Sequence, residues 1–276
     1  MDINSPIARF ALVADTQYAD SDTKYGRNYR RGKDHLASLV NILNDIPDID
    51  FVFNLGDLVN GDADGEFPLM LDVFSRCRHT VRHTIGNHDL VKLTTAQAAR
   101  LCGIDSFFYD FSIGDFRFIA LDSMDESIFS PPGSDRLQRA KKLLNANPRK
   151  WDFNGQLSPE RIEWLHRLLT DASAHGQRAI ILTHIPILPE AACPDTVAWN
   201  HEEMLQFIDN HPNVVAWLAG HEHAGGCVVR NGVLHKCVMG NCETEQPTAS
   251  IVTLYHDRME LSAIGMETET VHNFIQ

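Results

Sequence analysis

The chain lacks the features of a membrane-spanning or disulfide-stapled protein. None of its apolar runs approaches the roughly 20 residues that a transmembrane helix needs. Its opening residues, MDINSP, contain no basic segment of the kind that begins a signal peptide. Six cysteines occur without a C-x-x-C pair, so no disulfide framework is indicated. These absences predict a soluble cytoplasmic protein without a membrane partner.

Basic clusters are also absent. The 24 Lys and Arg residues are outnumbered by 37 Asp and Glu residues, which gives a formal net charge of −13 and a pI near 5.4. A protein that grips a nucleic-acid backbone carries clustered positive charge, so nucleic acid is not expected as a partner. An anionic small molecule remains compatible with this charge if bound metal ions reverse the local field. The sequence leaves the oligomeric state open.

Alternating apolar runs and helical patterns predict an α/β fold. Short runs such as Phe51–Leu55 and Val214–Ala219 suit strands that are covered on both faces. Helical spacing lies between such runs, with a clear helix start at Ser158. The end of the chain reads as short strands joined by turns, which predicts an antiparallel meander. We expect one domain over residues 1–276, with a substrate-facing insertion at about 123–157.

Five short polar motifs carry the functional signal, and each directly follows an apolar run. They are Asp15-Thr16-Gln17, Gly56-Asp57, Gly86-Asn87-His88-Asp89, Thr183-His184 and Gly220-His221-Glu222-His223. Because open α/β sheets bind ligands at the carboxyl ends of their strands, these side chains are expected to converge. Each motif alone is weak, since a Gly-Asp turn or a single His at a strand end is common. Their combination in this order predicts one metal site.

The side chains of the motifs suit two divalent ions. One carboxylate can bridge two ions about 3.5–4 Å apart, as two-metal hydrolysis requires. The histidines offer imidazole nitrogens, and Asn87 and Gln17 offer amide oxygens. Such ligands without thiolate suit manganese, iron or zinc, with magnesium less favoured. Because Asp15 and Asp57 balance only half the charge of two such ions, the centre stays positive and can attract phosphate and activate a bridging water.

His88 and Asp89 are the predicted catalytic residues. His88 directly follows Asn87, so it lies beside the ions without having to bind them. It could stabilise charge that develops on a phosphate or protonate the leaving oxygen. Asp89 could orient His88 through a hydrogen bond, or it could simply form the turn.

Taken together, the motifs resemble those of the calcineurin-like metallophosphoesterase superfamily, whose pattern is D-x-H, G-D, G-N-H-[DE], H and G-H-x-H. The resemblance covers roughly residues 8–226 and implies a four-layer sandwich, in which two mixed β-sheets are flanked by helices. It also implies that two ions share Asp57. The implied ligands are Asp15, Gln17, Asp57 and His223 for one ion, and Asp57, Asn87, His184 and His221 for the other.

Gln17 stands where the superfamily pattern has His. In this respect, and in stretches at residues 15–31 and 154–165, the chain is similar to the manganese-dependent ADP-ribose/CDP-alcohol diphosphatase branch. An amide oxygen is a harder and weaker donor than imidazole. Gln17 is therefore expected to favour manganese over zinc, while iron and magnesium would also accept ligands of this kind.

A nucleotide-like substrate needs a platform for its base and a cation for its second phosphate. The residues predicted to contact such a substrate are Tyr18, Tyr25, Tyr29, Arg30 and Asn154. Tyrosine rings can stack on a base, and a guanidinium can bind phosphate through two hydrogen bonds. A solvated helix start with a few surface aromatics is an equally good interpretation of the first four.

The predicted activity is hydrolysis of the phosphoanhydride in small nucleoside diphosphate derivatives, such as ADP-ribose or CDP-alcohols, by a hydroxide held between two metal ions. A first alternative is a phosphodiesterase that acts on cyclic nucleotides or glycerophosphodiesters with the same metals. An alternative of another class is a metal-binding scaffold without catalysis. The presence of His88 and of every expected ligand position disfavours the scaffold.

Overall fold

The apolar runs of the sequence form strands of two six-stranded mixed sheets. The computed structural model describes residues 5–61 and 65–274. Strands β1 to β12 span Ala8–Val13, Phe51–Asn54, Thr80–His83, Tyr109–Ile113, Phe116–Ala120, Arg178–Leu182, Val214–Ala219, Gly226–Arg230, Val233–Cys237, Ala249–Leu254, Arg258–Ile264 and Thr270–Asn273. Helices α1 to α6 span Arg31–Asp45, Glu66–Ser75, Thr95–Leu101, Asp135–Ala146, Pro159–Ala174 and His201–Asp209.

Each sheet contains a parallel part that follows the predicted alternation of strands and helices. The first sheet has the order β12-β11-β10-β1-β2-β3, and the second has the order β4-β5-β6-β7-β9-β8. Strands β1, β2 and β3 run parallel, as do β5, β6 and β7. The outer strands β4, β8, β11 and β12 pair antiparallel with their neighbours. The predicted α/β architecture with two mixed sheets is confirmed.

The core lies between the two sheets and under the helices. In β1, Phe10 packs between the sheets, with its ring 4.8 Å from Phe51 of β2 and 5.3 Å from Phe118 of β5. The alternate residue Ala11 belongs to a different apolar cluster, which also contains Leu36 of α1. This alternation follows from the period of a strand, whose successive side chains point to opposite faces. It produces the layers of helix, sheet, sheet and helix.

The C-terminal strands are antiparallel hairpins, as predicted, but they do not form one continuous meander. Strands β8 and β9 extend the second sheet, where β9 pairs parallel with β7. Strands β10 to β12 extend the first sheet, where β10 pairs antiparallel with β1. The segment between β9 and β10, residues 238–248, crosses from one sheet to the other. Local turn signals such as Asn231-Gly232 predict hairpins, but they do not determine which sheet each hairpin joins.

The region at residues 123–157 lies between β5 and α5 and contains α4. Its two ends are tied together, because Glu126 and Gln156 exchange two backbone hydrogen bonds of 3.0 Å. Helix α5 begins at Pro159 after Ser158, as the sequence predicts.

Within the part of the chain that the structure describes, no helix is long and apolar enough to cross a membrane.

Candidate metal centre

The five polar motifs meet where strands of both sheets end. The loops after β1, β2 and β3 come from the first sheet, and those after β6 and β7 come from the second. All seven predicted ligands lie in these loops, and none is more than 8% exposed. They are Asp15, Gln17, Asp57, Asn87, His184, His221 and His223.

One group of ligand atoms lies around Asp57, Gln17, His223 and Asp15. Gln17 Nε2 is 3.1 Å from Asp57 Oδ2 and 3.1 Å from His223 Nε2. The same His223 nitrogen is 3.3 Å from Asp15 Oδ1. Asp15 Oδ2 accepts a hydrogen bond of 2.9 Å from the backbone N–H of His221, which leaves Oδ1 for the centre.

A second group shares Asp57 with the first. His184 Nε2 lies 3.4 Å from Asp57 Oδ2, 3.3 Å from Asn87 Oδ1 and 3.2 Å from His221 Nδ1. Ligand atoms bound at about 2.0–2.2 Å to one ion are themselves about 3 Å apart. Both groups therefore have the spacing of a coordination shell, and Asp57 Oδ2 belongs to both.

Two oxygens of the predicted ligands are buried without a hydrogen-bond partner among the described residues. They are Asp15 Oδ1 and Gln17 Oε1. Leaving a buried polar atom unsatisfied costs about 1–3 kcal/mol, which coordination to a cation would offset. The Gln17 amide presents Nε2 to the other ligands, so ligation by Oε1 requires a rotation of the amide. With that rotation, the donor set of carboxylate, amide and imidazole suits divalent ions such as manganese.

The backbone is strained at four of the seven predicted ligands. Asp15, Gln17, Asp57 and His221 have φ values of 51°, 41°, 53° and 69°, in the left-handed region that L-residues rarely adopt. Such strain concentrates at functional sites, where the surrounding fold holds it in place. At these positions the chain turns sharply after a strand, and the side chains point towards the centre.

Asp57 and His184 shift each other's pKa at the centre. Burial alone would raise the pKa of Asp57, but the neighbouring His184 and His88 outweigh it and hold the pKa well below its ordinary value. Burial would also lower the pKa of His184, but Asp57 outweighs it and raises the pKa to about 9. Positive charge next to the Asp57 carboxylate is therefore favourable. Divalent ions would supply that charge.

His88 lies beside the ligand groups rather than among them. Its backbone N–H donates to Asp57 Oδ1 at 2.8 Å, and its ring Nε2 is 4.0 Å from Asp57 Oδ2. The side chain is 26% exposed, in contrast to the buried ligands. Burial, with a contribution from Arg27, lowers its pKa, although Asp57 opposes the shift. The ring is therefore partly open to solvent, and its Nε2 lies close to Asp57.

A family model described as calcineurin-like phosphoesterase matches residues 8–225. The chain belongs to this family. The prediction of a metal-dependent phosphohydrolase with this fold is thereby confirmed, and the matched region includes all five motifs.

Relatives in this family resemble the chain from end to end. A manganese-dependent ADP-ribose/CDP-alcohol diphosphatase from Danio rerio is 29% identical, and the match covers 95% of this chain and 97% of the relative. A protein of the same name from Bos taurus is 30% identical, with 96% and 94% covered. A crystal structure of a dimetal phosphatase from Danio rerio superposes with a TM-score of 0.88 at 28% identity, over 98% of this chain and all of that chain.

Asp89 is a further residue of the family motif, and its side chain bonds to the backbone of neighbouring loops rather than to the ring of His88. Its carboxylate accepts hydrogen bonds from the backbone N–H groups of Asp57, Val59 and Gly86 at 2.9, 3.1 and 3.0 Å. Burial and the nearby Asp57 raise its pKa to about 7. These contacts favour a structural role for Asp89 over orientation of His88. Through them, Asp89 links its own loop, which carries His88, to the loop that carries Asp57.

The four predicted substrate residues near the first motif do not share one surface. Arg30 is exposed and its Nε lies 2.6 Å from Asp20. Tyr29 is only 6% exposed, Tyr18 is half-buried against the core, and Tyr25 is 79% exposed. A base could stack on Tyr25, whereas Tyr29 offers little free ring. Contact with substrate stays a prediction for this group.

Asn154 lies at the metal centre and contacts a ligand. Its Nδ2 donates to the carbonyl oxygens of Asp195 and Val197 at 2.7 and 3.0 Å. Its Oδ1 lies 2.8 Å from Nε2 of His221, and only 2% of the residue is exposed. Both ends of the amide are thus used by protein atoms. This position supports orientation of His221 rather than the predicted contact with substrate, which remains untested.

The sequence does not predict how Glu243, Cys242 and Arg27 come together near the centre. Glu243 Oε1 lies 2.7 Å from His223 Nδ1 and 3.0 Å from Arg27 Nε. Cys242 Sγ lies 3.5 Å from the same His223 nitrogen. Cys242 and Glu243 belong to the segment that crosses between the sheets, and Arg27 belongs to the loop before α1. No strand end or recognisable motif marks Cys242 or Glu243 in the sequence, whereas Arg27 belongs to the cluster of Tyr and Arg residues that follows the first motif.

Proposed function

We propose that the protein is a manganese-dependent hydrolase of nucleoside diphosphate derivatives. It would cleave the phosphoanhydride of ADP-ribose-like or CDP-alcohol-like molecules to a nucleoside monophosphate and a phosphorylated partner. The observation that carries this proposal is Gln17. It is fully buried among the ligand atoms, where the wider superfamily pattern has histidine. The end-to-end similarity to relatives named for this activity supports it.

The proposed ligands are the two groups that share Asp57, as described above. Bound there, two divalent ions would supply the positive charge that attracts phosphate oxygens and activates water. His88 faces the same space and would stabilise charge on the phosphate or protonate the leaving oxygen. Residues 123–157 are proposed to cover the substrate, because Asn154 of this region reaches the centre.

The choice of manganese follows from the hardness of the ligands. With Gln17 as an amide donor, the first group would hold one imidazole among oxygen ligands. Such a group suits manganese better than zinc.

The free state of all six cysteines is what a reducing compartment would maintain, in keeping with the predicted cytoplasmic location.

The test is a substrate panel after removal of metal. The chelated protein would be reloaded with manganese, zinc or magnesium and assayed on ADP-ribose, CDP-choline, cyclic AMP and p-nitrophenyl phosphate. We expect the highest kcat/KM on ADP-ribose or CDP-choline, and with manganese. Preference for cyclic AMP would replace the proposal by a phosphodiesterase. Absence of turnover on the whole panel would favour a scaffold, and better recovery at low micromolar zinc would refute the argument from Gln17.

A further inference from the structure

Glu243 contacts the side of His223 that faces away from the metal centre. The Nε2 atom of His223 faces Asp15 and Gln17, whereas Nδ1 lies 2.7 Å from Glu243 Oε1. A histidine that binds a metal usually donates its other N–H to a carboxylate, which fixes the tautomer and the ring orientation.

The ring of His223 is also held by close packing. A Cβ atom on Gly240 would lie 2.8 Å from the ring, so the backbone there touches the imidazole directly. The backbone N–H of Gly240 donates to the carbonyl of His223 at 3.0 Å. Cys242 Sγ lies 3.5 Å from Nδ1, and the carboxylate of Glu243 makes the shorter contact to the same atom, at 2.7 Å.

The same carboxylate holds Arg27. Arg27 Nε donates to Glu243 Oε1 at 3.0 Å, and Nη1 lies 3.5 Å from His88 Nε2. The neighbouring Asn28 donates its backbone N–H to the carbonyl of Cys242 at 2.9 Å, which fixes the loop of Arg27 against the crossing segment. The side chain of Arg27 is 27% exposed. One part of its guanidinium is therefore bonded to Glu243, and another part faces the space beside His88.

We propose that Glu243 is a positioning residue that holds His223 towards the metal and Arg27 towards a phosphate of the substrate. The role of Arg27 rests on the proposed function, because it needs an anionic substrate beside His88. A guanidinium stays charged and can present two parallel N–H groups, which suits phosphate oxygens. Glu243 neutralises part of this charge and holds Arg27 through its Nε, so that Nη1 lies beside His88.

The first experiment measures manganese binding to the metal-free protein by isothermal titration calorimetry. The variants are Glu243→Ala and Glu243→Gln, since the amide keeps an acceptor oxygen but loses the charge. Glu245→Ala is the matched control, because Glu245 lies two residues further and pairs with Arg31 at 3.1 Å. We expect Glu243→Ala to weaken one of the two manganese sites by about 10–100-fold. Glu243→Gln should weaken it less, and Glu245→Ala should match the wild type.

Wild-type affinity at both sites in Glu243→Ala, or equal weakening in Glu245→Ala, would overturn the positioning role. If Glu243→Ala does not fold, as judged by its thermal melt, Glu243→Gln carries the test through a smaller but measurable loss at one site. Wild-type binding by the Gln variant would then refute the proposal.

The second experiment measures binding of inorganic phosphate to the manganese-loaded protein. Arg27→Ala should weaken phosphate by about tenfold, Arg27→Lys should recover part of the loss, and both should keep two manganese ions. Unchanged phosphate affinity in Arg27→Ala would refute the phosphate contact. These binding measurements do not depend on turnover. A wild type that hydrolyses none of the nucleotides would refute the proposed function while the manganese titration still tests Glu243.

Discussion

A methyl group on Gly86 would collide with the carboxylate shared by both ligand groups. A Cβ atom there would lie 2.1 Å from Asp57 Oδ1, 2.7 Å from its Cγ and 2.5 Å from its backbone N. Ordinary van der Waals contact begins near 3.4 Å, so Asp57 or the Gly86 loop must move by more than 1 Å. Gly86 itself is not among the glycines with positive φ, so the effect of Gly86→Ala is spatial.

The consequence should be large, because Asp57 Oδ2 belongs to both groups and Oδ1 accepts from the backbone of His88 at 2.8 Å. A displacement of about 1 Å at a reacting centre can lower turnover about a hundredfold. We therefore expect Gly86→Ala to bind fewer than two manganese ions and to lose about a hundredfold or more in kcat/KM on ADP-ribose. Metal content can be measured by plasma emission spectroscopy after gel filtration.

Gly176→Ala is the control for the glycine substitution itself. Gly176 follows α5, has a φ of 68°, and would leave its new Cβ with no described atom within 4 Å. This variant should lose some stability through left-handed strain, yet keep two manganese ions and wild-type turnover. The reasoning fails if Gly86→Ala retains both ions and turns over within a few-fold of the wild type.

Three further predictions test the centre and the fold. Asp57→Asn should reduce manganese below two ions per chain because it removes the bridging charge, and unchanged stoichiometry would contradict the bridge. His88→Ala should lower turnover about a hundredfold or more with both ions retained, and normal turnover would exclude a catalytic role. Neither ring nitrogen of His235 has a hydrogen-bond partner within the described part of the chain, and burial lowers its pKa to about 4 from the ordinary 6.5. Only the unfolded chain then takes up this proton as pH falls from 6.5 to 4, so stability should drop by up to about 3 kcal/mol. His235→Leu should flatten this dependence in urea unfolding at pH 5 and pH 7, and an unchanged slope would refute the assignment.

The convergence of the seven predicted ligands depends in part on local pattern, and to that extent the sequence predicts it. Each motif follows a short apolar run, and parallel strands of one sheet end at one edge. The resemblance to a known family then supplied the pairing of the two sheets. Asp57 and His184 illustrate this pairing. They follow strands of different sheets, yet His184 Nε2 lies 3.4 Å from Asp57 Oδ2.

Other features depend on contacts between distant parts of the chain. Glu243 reaches His223 only because the segment after β9 crosses to the first sheet, and no local signal predicts that crossing. Strand β4 has no continuous apolar run of the kind that marks the buried strands, and its apolar residues alternate with polar ones as in a half-buried edge strand. Tyr29 has the sequence context of a surface aromatic, but the loop before α1 folds back and buries it.

The seam between the two sheets divides the proposed ligands by their chemistry. Every oxygen ligand, from Asp15, Gln17, Asp57 and Asn87, follows a strand of the first sheet, and every nitrogen ligand, from His184, His221 and His223, follows a strand of the second. Bound ions would therefore link the two sheets, which otherwise contact each other through apolar side chains such as Phe10 and Phe118. Any sliding of one layer over the other would pull the hard ligands away from the softer ones. Metal preference would then depend on the register of the two sheets, as well as on which residues line the site.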